Sequence, residues 1–295
     1  MSFSDVVQLL IGGVTIGSVY SLVALGFHII YRSTGAINFA TGEQVVLGGL
    51  LAITLTTVLK LPLVAAFFGT IVLAGLIGLI YERLVIRPVL RFSELAIVIS
   101  SMAVSIIMQN AMAVIWGKEH ILFPPFTGGN PVTIAGAVVE RQSFWIIGLA
   151  FAAVVVLRLF FDFSLMGKYV KATLNNRTAA KLVGINTTRM VALTFGLAGG
   201  ICAMAGVVVA PITYAGGALG TMIALKGFVA AVVGGLSNST GVVLGGIAFG
   251  ILEFLAAGFI SSGYRDAIAL LVLLIFLIIK PSGLFSSRSQ EPRGT

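Results

Sequence analysis

Asn38, Thr41, Glu43 and Gln44 fall close together in GAINFATGEQ, directly before the apolar run VVLGGLLAITLTTVL. A carboxylate, two amides and a hydroxyl at that spacing allow two kinds of chemistry. If the stretch opens a helix at the membrane surface, Glu43 is a first-turn acid favoured by the helix dipole. If it lies within the bilayer, the carboxylate costs about 3 kcal/mol and must be hydrated, paired or protonated. Asn38–Gln44 would then line an aqueous path, with the N–H groups of a helix start open to an anionic group. Glu253, inside FGILEFLAAGF, raises the same question, and a structural or gating role is expected of it rather than substrate contact. Lys226 is the only cation placed well within a candidate span. It snorkels to an interface, faces a pore, or pairs with a carboxylate.

No catalytic constellation accompanies these residues. His28 and His120 are far apart, no Cys or His cluster has metal-ligand spacing, and no G-x-S-x-G elbow occurs. The stretches GLAGGICAMAG and GGALGTMIALKG are glycine-rich, but neither has the phosphate-loop spacing. Their apolar setting points to close helix packing. Any ATP that powers this protein is expected to bind another chain.

The elements that position these groups follow from composition. Of 295 residues, 58% are hydrophobic and 9% charged, and the mean hydropathy is +1.11. Soluble domains carry roughly a quarter charged residues, so the bilayer is the main solvent. Long continuous apolar runs favour helices over an alternating barrel pattern. The fold class is therefore an all-α, polytopic transmembrane bundle of eight to ten spans. Candidate spans are Val6–Ile30, Val45–Leu59, Leu63–Tyr81, Leu95–Trp116, Phe144–Phe161, Val191–Pro211, Met222–Leu236, Val242–Ile260 and Ala267–Ile279. The regions around Gly35–Leu59 and Met222–Leu236 are short enough to be broken or re-entrant. MSFSDVVQLL lacks a basic leader, so the first apolar stretch is expected to remain. Cys202 is the single cysteine, which excludes an intrachain disulfide.

Basic residues set the expected orientation. Arg32, the group Arg83, Arg87 and Arg91, the long connection from Arg158 through Lys168, Lys171, Arg177 and Lys181 to Arg189, and the tail with Lys280, Arg288 and Arg293 all belong inside. Nine spans then put the C-terminus in the cytoplasm and the N-terminus outside. The connection 117–142 faces outward, with a turn near Gly136 and a short β-hairpin, and the tail 286–295 is disordered. TGEQVVLGG (Thr41–Gly49) returns compressed as TGVVLGG (Thr240–Gly246), which suggests two related halves with broken helices at matching places. In Lys168–Met190, Leu174, Ala179 or Ala180, and Leu182 form one side of a short helix that Gly184 stops. The face is either simply solvated or docks a partner.

GAINFATGEQVVLGG, NNRTAAKLVGIN, GGLSNSTGVVLGGIAFGILE and KPSGLF, taken in this order, resemble the permease subunits of branched-chain amino acid ABC importers. The H-type subunit of the leucine/isoleucine/valine system is the best match, over about Val6 to Phe285. The resemblance implies one transmembrane permease domain over 1–285, in a multi-pass bacterial or archaeal inner-membrane protein that is not itself an enzyme. It implies three kinds of partner besides membrane lipid, with no nucleic acid. These are a second, homologous permease, two cytoplasmic ATPase subunits that hold ATP and Mg, and a periplasmic or surface amino-acid binding protein. No cofactor or metal is expected on this chain. Asn175, Asn176, Arg177, Thr178, Ala179, Ala180, Leu182, Gly184 and Ile185 would couple to the ATPase. Many relatives carry an acidic residue where Thr178 stands, which puts an acidic contact in doubt but not the helix. Asn38, Phe39, Thr41, Gly42, Glu43 and Gln44, with Gly234, Gly235 and Asn238, would belong to the substrate path. The competing expectations are a permease for urea, amides or other amino acids, a stand-alone channel or ion-coupled carrier using Glu43 and Glu253, and a membrane scaffold.

Overall fold

Long apolar runs in lipid must satisfy their own backbone, and here they do so as helices. The computed structural model describes residues 3–216, 219–259, 261–280 and 283–285; the tail 286–295, with Arg288 and Arg293, lies outside the described residues. The helices are α1 (Phe3–Thr34), α2 (Thr41–Ile53), α3 (Leu63–Tyr81), α4 (Arg87–Val89), α5 (Glu94–Trp116), α6 (Arg141–Phe163), α7 (Leu165–Asn175), α8 (Arg177–Leu182), α9 (Thr187–Thr213), α10 (Leu219–Gly234), α11 (Ser239–Phe259) and α12 (Arg265–Ile279). Among the described residues seven stretches are long and apolar enough to cross a membrane. Two further expected spans appear as shorter helices, α10 with 16 residues and α12 with 15.

Two helices widen into π turns. One extends α2 over Thr54–Val58, and the other joins α3 to α4 over Glu82–Ile86. The second lies just before Pro88, whose ring and missing N–H disfavour a regular α-helical ladder. Side-chain caps fix several helix starts; Ser93 accepts from Ala96 N, Ser164 from Gly167 N, and Asn186 from Arg189 N.

The most buried of the long helices are α1, α2 and α9, while α3, α5 and α6 expose most of their apolar surface. Small residues set the close crossings at the centre. A Cβ on Gly250 would overlap Gly17 of α1, and one on Gly206 of α9 would overlap the carbonyl of Val45 on α2. Without a hydrophobic drive between helices in lipid, such close backbone approach is what dispersion and packing need. Both members of the repeated motif use their glycine pairs in this way. Gly48 meets Ala203, and Gly245 meets Ala230 and Gly234.

The bundle has two chemically different ends. At one, Arg32 Nη2 donates to Asn175 Oδ1 at 2.9 Å, the nitrogen of Leu284 donates to Val233 O, and a Cβ on Gly35 would meet Glu94. The basic connections gather here. At the other end stands an antiparallel hairpin, β1 (Val132–Ile134) with β2 (Ala137–Val139), in register Val132↔Val139. Its turn residues Ala135 and Gly136 both have left-handed φ, +49° and +83°, which suits a tight hairpin. Gln8 of α1 clamps it, donating to Val138 O and accepting from Val138 N, both at 3.1 Å.

Candidate functional site

The polar cluster of GAINFATGEQ is buried, not superficial. Asn38, Thr41, Glu43 and Gln44 are each at most 1% exposed. Gly26 of α1 lies against the Thr41 methyl, eight residues before α1 ends, which puts the start of α2 roughly 12 Å inside that end. α2 is thus an interrupted helix that begins within the bundle.

Asn38 builds the entry. Its Oδ1 accepts from Tyr81 Oη at 2.9 Å and from Ala40 N at 3.2 Å, and its carbonyl accepts from Thr41 Oγ1 at 2.7 Å. The nitrogen of Phe39 donates to Ser101 Oγ at 3.0 Å, tying the entry to α5. The Phe39 ring lies against Phe228 of α10, with centroids 6.3 Å apart.

Glu43 then meets the start of a second short helix. Gly220, one residue into α10, lies so close that a Cβ there would stand 2.5 Å from Glu43 Oε2. The carboxylate accepts from Ser105 Oγ of α5 at 3.3 Å and from Thr221 Oγ1 of α10 at 3.4 Å. Both are long hydrogen bonds from uncharged donors. Glu43 Oε2, Gln44 Oε1 and Asn38 Nδ2 have no hydrogen-bond partner among the described residues. Gly42 also abuts Gly220, so the N-termini of α2 and α10 meet at this carboxylate. The positive end of α10 therefore favours the negative charge on Glu43, and no cation does so among the described residues.

A cavity of about 280 Å³ lies next to this junction, toward the hairpin end. Val46 and Leu50 of α2, Gln109, Asn110 and Met112 of α5, Lys118 and Gly216 line it. Gln109 stands one turn beyond Ser105 on the same helix. Ser101, Ser105 and Gln109, each four residues apart, form a polar stripe on α5 facing α2. They were not singled out from the sequence, although that spacing within ISSMAVSIIMQN was the available signal. Tyr81 and Thr221 left no such pattern.

The structure divides the nine expected path residues. Asn38 through Gln44 converge with α5 and α10. Gly234, Gly235 and Asn238 lie at the far end of α10, fourteen residues and roughly 21 Å beyond Gly220. There Gly234 packs against Gly241. Asn238 caps α11, accepting from Thr240 N and Gly241 N, and its Nδ2 donates to Phe285 O at 2.8 Å. Capping and close packing account for these three residues.

The open question at Lys226 resolves into pairing. Its Nζ stands 2.8 Å from Glu253 Oε1 and 2.8 Å from Asp266 Oδ1, and Arg265 Nε approaches Glu253 at 3.2 Å. The Arg265 guanidinium also stacks over Phe254 at 4.2 Å. Glu253 therefore belongs to a charge network joining α10, α11 and α12.

The expected short helix in the basic connection is two helices. Asn176 interrupts them, and its Oδ1 accepts from Ala179 N at 2.9 Å to start α8. Gly184, at φ +84°, closes α8 while Ile185 N returns to Ala180 O. The expectation that Leu174, Ala179 or Ala180, and Leu182 form one side of a single helix is corrected, because Leu174 stands on the other helix. Leu174 belongs to α7, Ala180 is buried, and Leu182 and Val183 are 84% and 75% exposed. Asn175 holds Arg32, while Thr178 and Ala179 are exposed.

Comparison with known proteins gives this arrangement its context. Residues 9–278 match the family model described as branched-chain amino acid transport system / permease component. The chain is 32% identical to the high-affinity branched-chain amino acid transport system permease protein LivH of Escherichia coli (strain K12), over 96% of each chain. It is 30% identical to the corresponding protein BraD of Pseudomonas aeruginosa, over 96% of this chain and 97% of that one. A solved structure, PsaBC from Streptococcus pneumoniae in complex with Fab, superimposes with a TM-score of 0.51 at 18% identity. It covers 95% of this chain and 94% of that one, and shows the fold alone.

Proposed function

The chain belongs to the branched-chain amino acid transport system / permease component family, and from that premise we propose that it is the membrane-spanning subunit of an ABC importer for branched-chain, hydrophobic amino acids. The observation that carries the reading is the match along 96% of both chains to relatives themselves named branched-chain amino acid permeases. The bundle is integral to the inner membrane. Its basic end faces the cytoplasm, because short loops rich in Lys and Arg stay there. The N-terminus and the hairpin then face outward. A second permease subunit completes the path, two ATPase subunits hold ATP and Mg, and an external binding protein delivers substrate.

On this reading the junction of α2 and α10 is the gate region. Two short helices meet end to end at Glu43, between the outward cavity and the aromatic pair Phe39–Phe228. A relative shift of either helix changes what the carboxylate faces. Interrupted helices at mid-bilayer are a recurrent way to build such a site. The segment α8 couples this movement to the ATPase. Its exposed Leu182 and Val183 form the docking knob, and its cap residues Asn176 and Gly184 keep it rigid.

The test is uptake of radiolabelled leucine by cells lacking the native gene and complemented with this chain and its neighbouring subunits. Uptake is expected to be displaced by unlabelled isoleucine and valine but not by urea or acetamide, and to fall with Leu182→Asp while membrane insertion holds. Transport by the isolated chain in liposomes, without ATPase subunits, would overturn the reading in favour of an ion-coupled carrier.

A further inference from the structure

A second cavity, of about 440 Å³, opens between α1, α6, α7 and α11 at the basic end. Its walls are sorted by chemistry along the helix axes. Arg32, Arg158, Asp162 and Lys171 stand at the helix ends, and Ser239 and Thr240 add hydroxyls from the start of α11. Deeper in the bundle the walls are mainly Leu25, Ile29, Val154, Leu157, Val243 and Leu244, with His28 a polar group among them, its Nδ1 2.7 Å from Leu236 O. From Arg32 back to Leu25 the polar-to-apolar change spans roughly 10 Å of helix. The change from Asp162 back to Val154 on α6 is similar.

The cavity wall holds three cations and one carboxylate. Asp162 accepts from Lys171 and lies 3.7 Å from Arg158, while Arg32 Nη2 is engaged only by the neutral amide of Asn175. The set carries a net charge of two positive. The Arg158 side chain is 83% exposed, and its contact with Asp162 is long, so it can reorient toward an anion. None of these groups touches the Glu43 junction, and none is used in the gate described above.

We propose that this cavity holds an anionic phospholipid of the adjoining leaflet. The cations and hydroxyls would take its headgroup phosphate, and the apolar wall the first part of an acyl chain. Charge complementarity and the axial sorting of the walls argue for a lipid. A free phosphate would use the charged rim alone, and a zwitterionic lipid would forgo the charge excess. Basic pockets between membrane helices near the cytoplasmic surface commonly take such headgroups. The leaflet follows from the orientation proposed above, but binding itself does not depend on the transport reading.

The experiment uses the full-length chain in zwitterionic detergent, examined by native mass spectrometry. The probes are phosphatidylglycerol, phosphatidylcholine with the same acyl chains, and glycerol 3-phosphate. One phosphatidylglycerol per chain is expected to survive collisional activation that strips phosphatidylcholine. Arg158→Ala should lower the retained fraction roughly fivefold, the worth of about one surface cation. Arg158→Lys should restore it, and Arg83→Ala, outside the cavity, should leave it unchanged. Because Arg158 is so exposed, its loss is not expected to disturb folding, and an unshifted melting transition checks this. Equal retention of the two lipids, or no effect of Arg158→Ala, would overturn the proposal. So would displacement of the lipid by glycerol 3-phosphate, which would mark a site for free anions. Loss of leucine uptake with lipid retention intact would bear on the transport reading alone.

Discussion

Glu43 and Glu253 read alike in the sequence, each an acid in an apolar run, and each is 1% exposed. Their surroundings differ. Glu253 has a lysine at 2.8 Å and an arginine at 3.2 Å, and that lysine is shared with Asp266. Glu43 has only two hydroxyls, at 3.3 and 3.4 Å, while one oxygen of each carboxylate has no hydrogen-bond partner among the described residues. A paired buried charge holds elements together once its partners are in place, and removing one partner strands the other. A buried acid supported by hydroxyls and a helix end is left able to change partner. Burial alone therefore leaves the two acids alike, and it is the donors around each that set them apart.

The largest effect should come from the paired site. Lys226→Met leaves Glu253 with one poorly aligned arginine and should lower stability by about 3–5 kcal/mol, read from thermal unfolding in detergent. The double variant Lys226→Met, Glu253→Leu should recover most of that loss. A single variant that melts like the wild type would erase the contrast. Next comes Gly220→Ala, whose new Cβ would press on the Glu43 carboxylate. The expected loss is about 1–3 kcal/mol, relieved when Glu43→Ala is added; absence of relief would mean the two residues are not in contact.

Glu43→Gln sharpens the comparison from the other side. It keeps the shape but removes the charge, so uptake should drop about tenfold, or roughly 1.4 kcal/mol, while the melting transition moves little. If melting collapses and the uptake of folded protein holds, Glu43 is structural like Glu253. The smallest effect is expected for Ser105→Ala, which deletes one long hydrogen bond worth about 1 kcal/mol. Uptake should change by a few-fold, and an effect equal to that of Glu43→Gln would make the hydroxyl, not the carboxylate, the important group.

A third buried acid shows why such sites escape a sequence reading. Glu82 is fully buried and binds Arg87 Nη2 at 2.9 Å. Five residues apart, the two would point away from each other on an α-helix, but the π turn over Glu82–Ile86 widens the helix and brings them to one side. Pro88 was visible beforehand; the response of the helix to it was not. Asn238 shows the reverse case. The family resemblance placed it, with Gly234 and Gly235, among the expected path residues. The structure makes it a cap for α11.

The sequence by itself determined that this chain lives in lipid, that its spans are helices, and that its cations gather in a few connections. Those properties are set by composition and by the solvation of backbone and charge, which act on each segment locally. It also marked Asn38–Gln44, because a polar cluster in an apolar run is conspicuous wherever the chain folds. Only the tertiary structure decided that Glu43 meets the start of α10 and that Lys226 closes on Glu253 and Asp266. These contacts join residues far apart in the chain, and they depend on how closely glycine-faced helices approach and at what depth the short helices begin. No local propensity encodes that depth; it follows from packing the whole bundle.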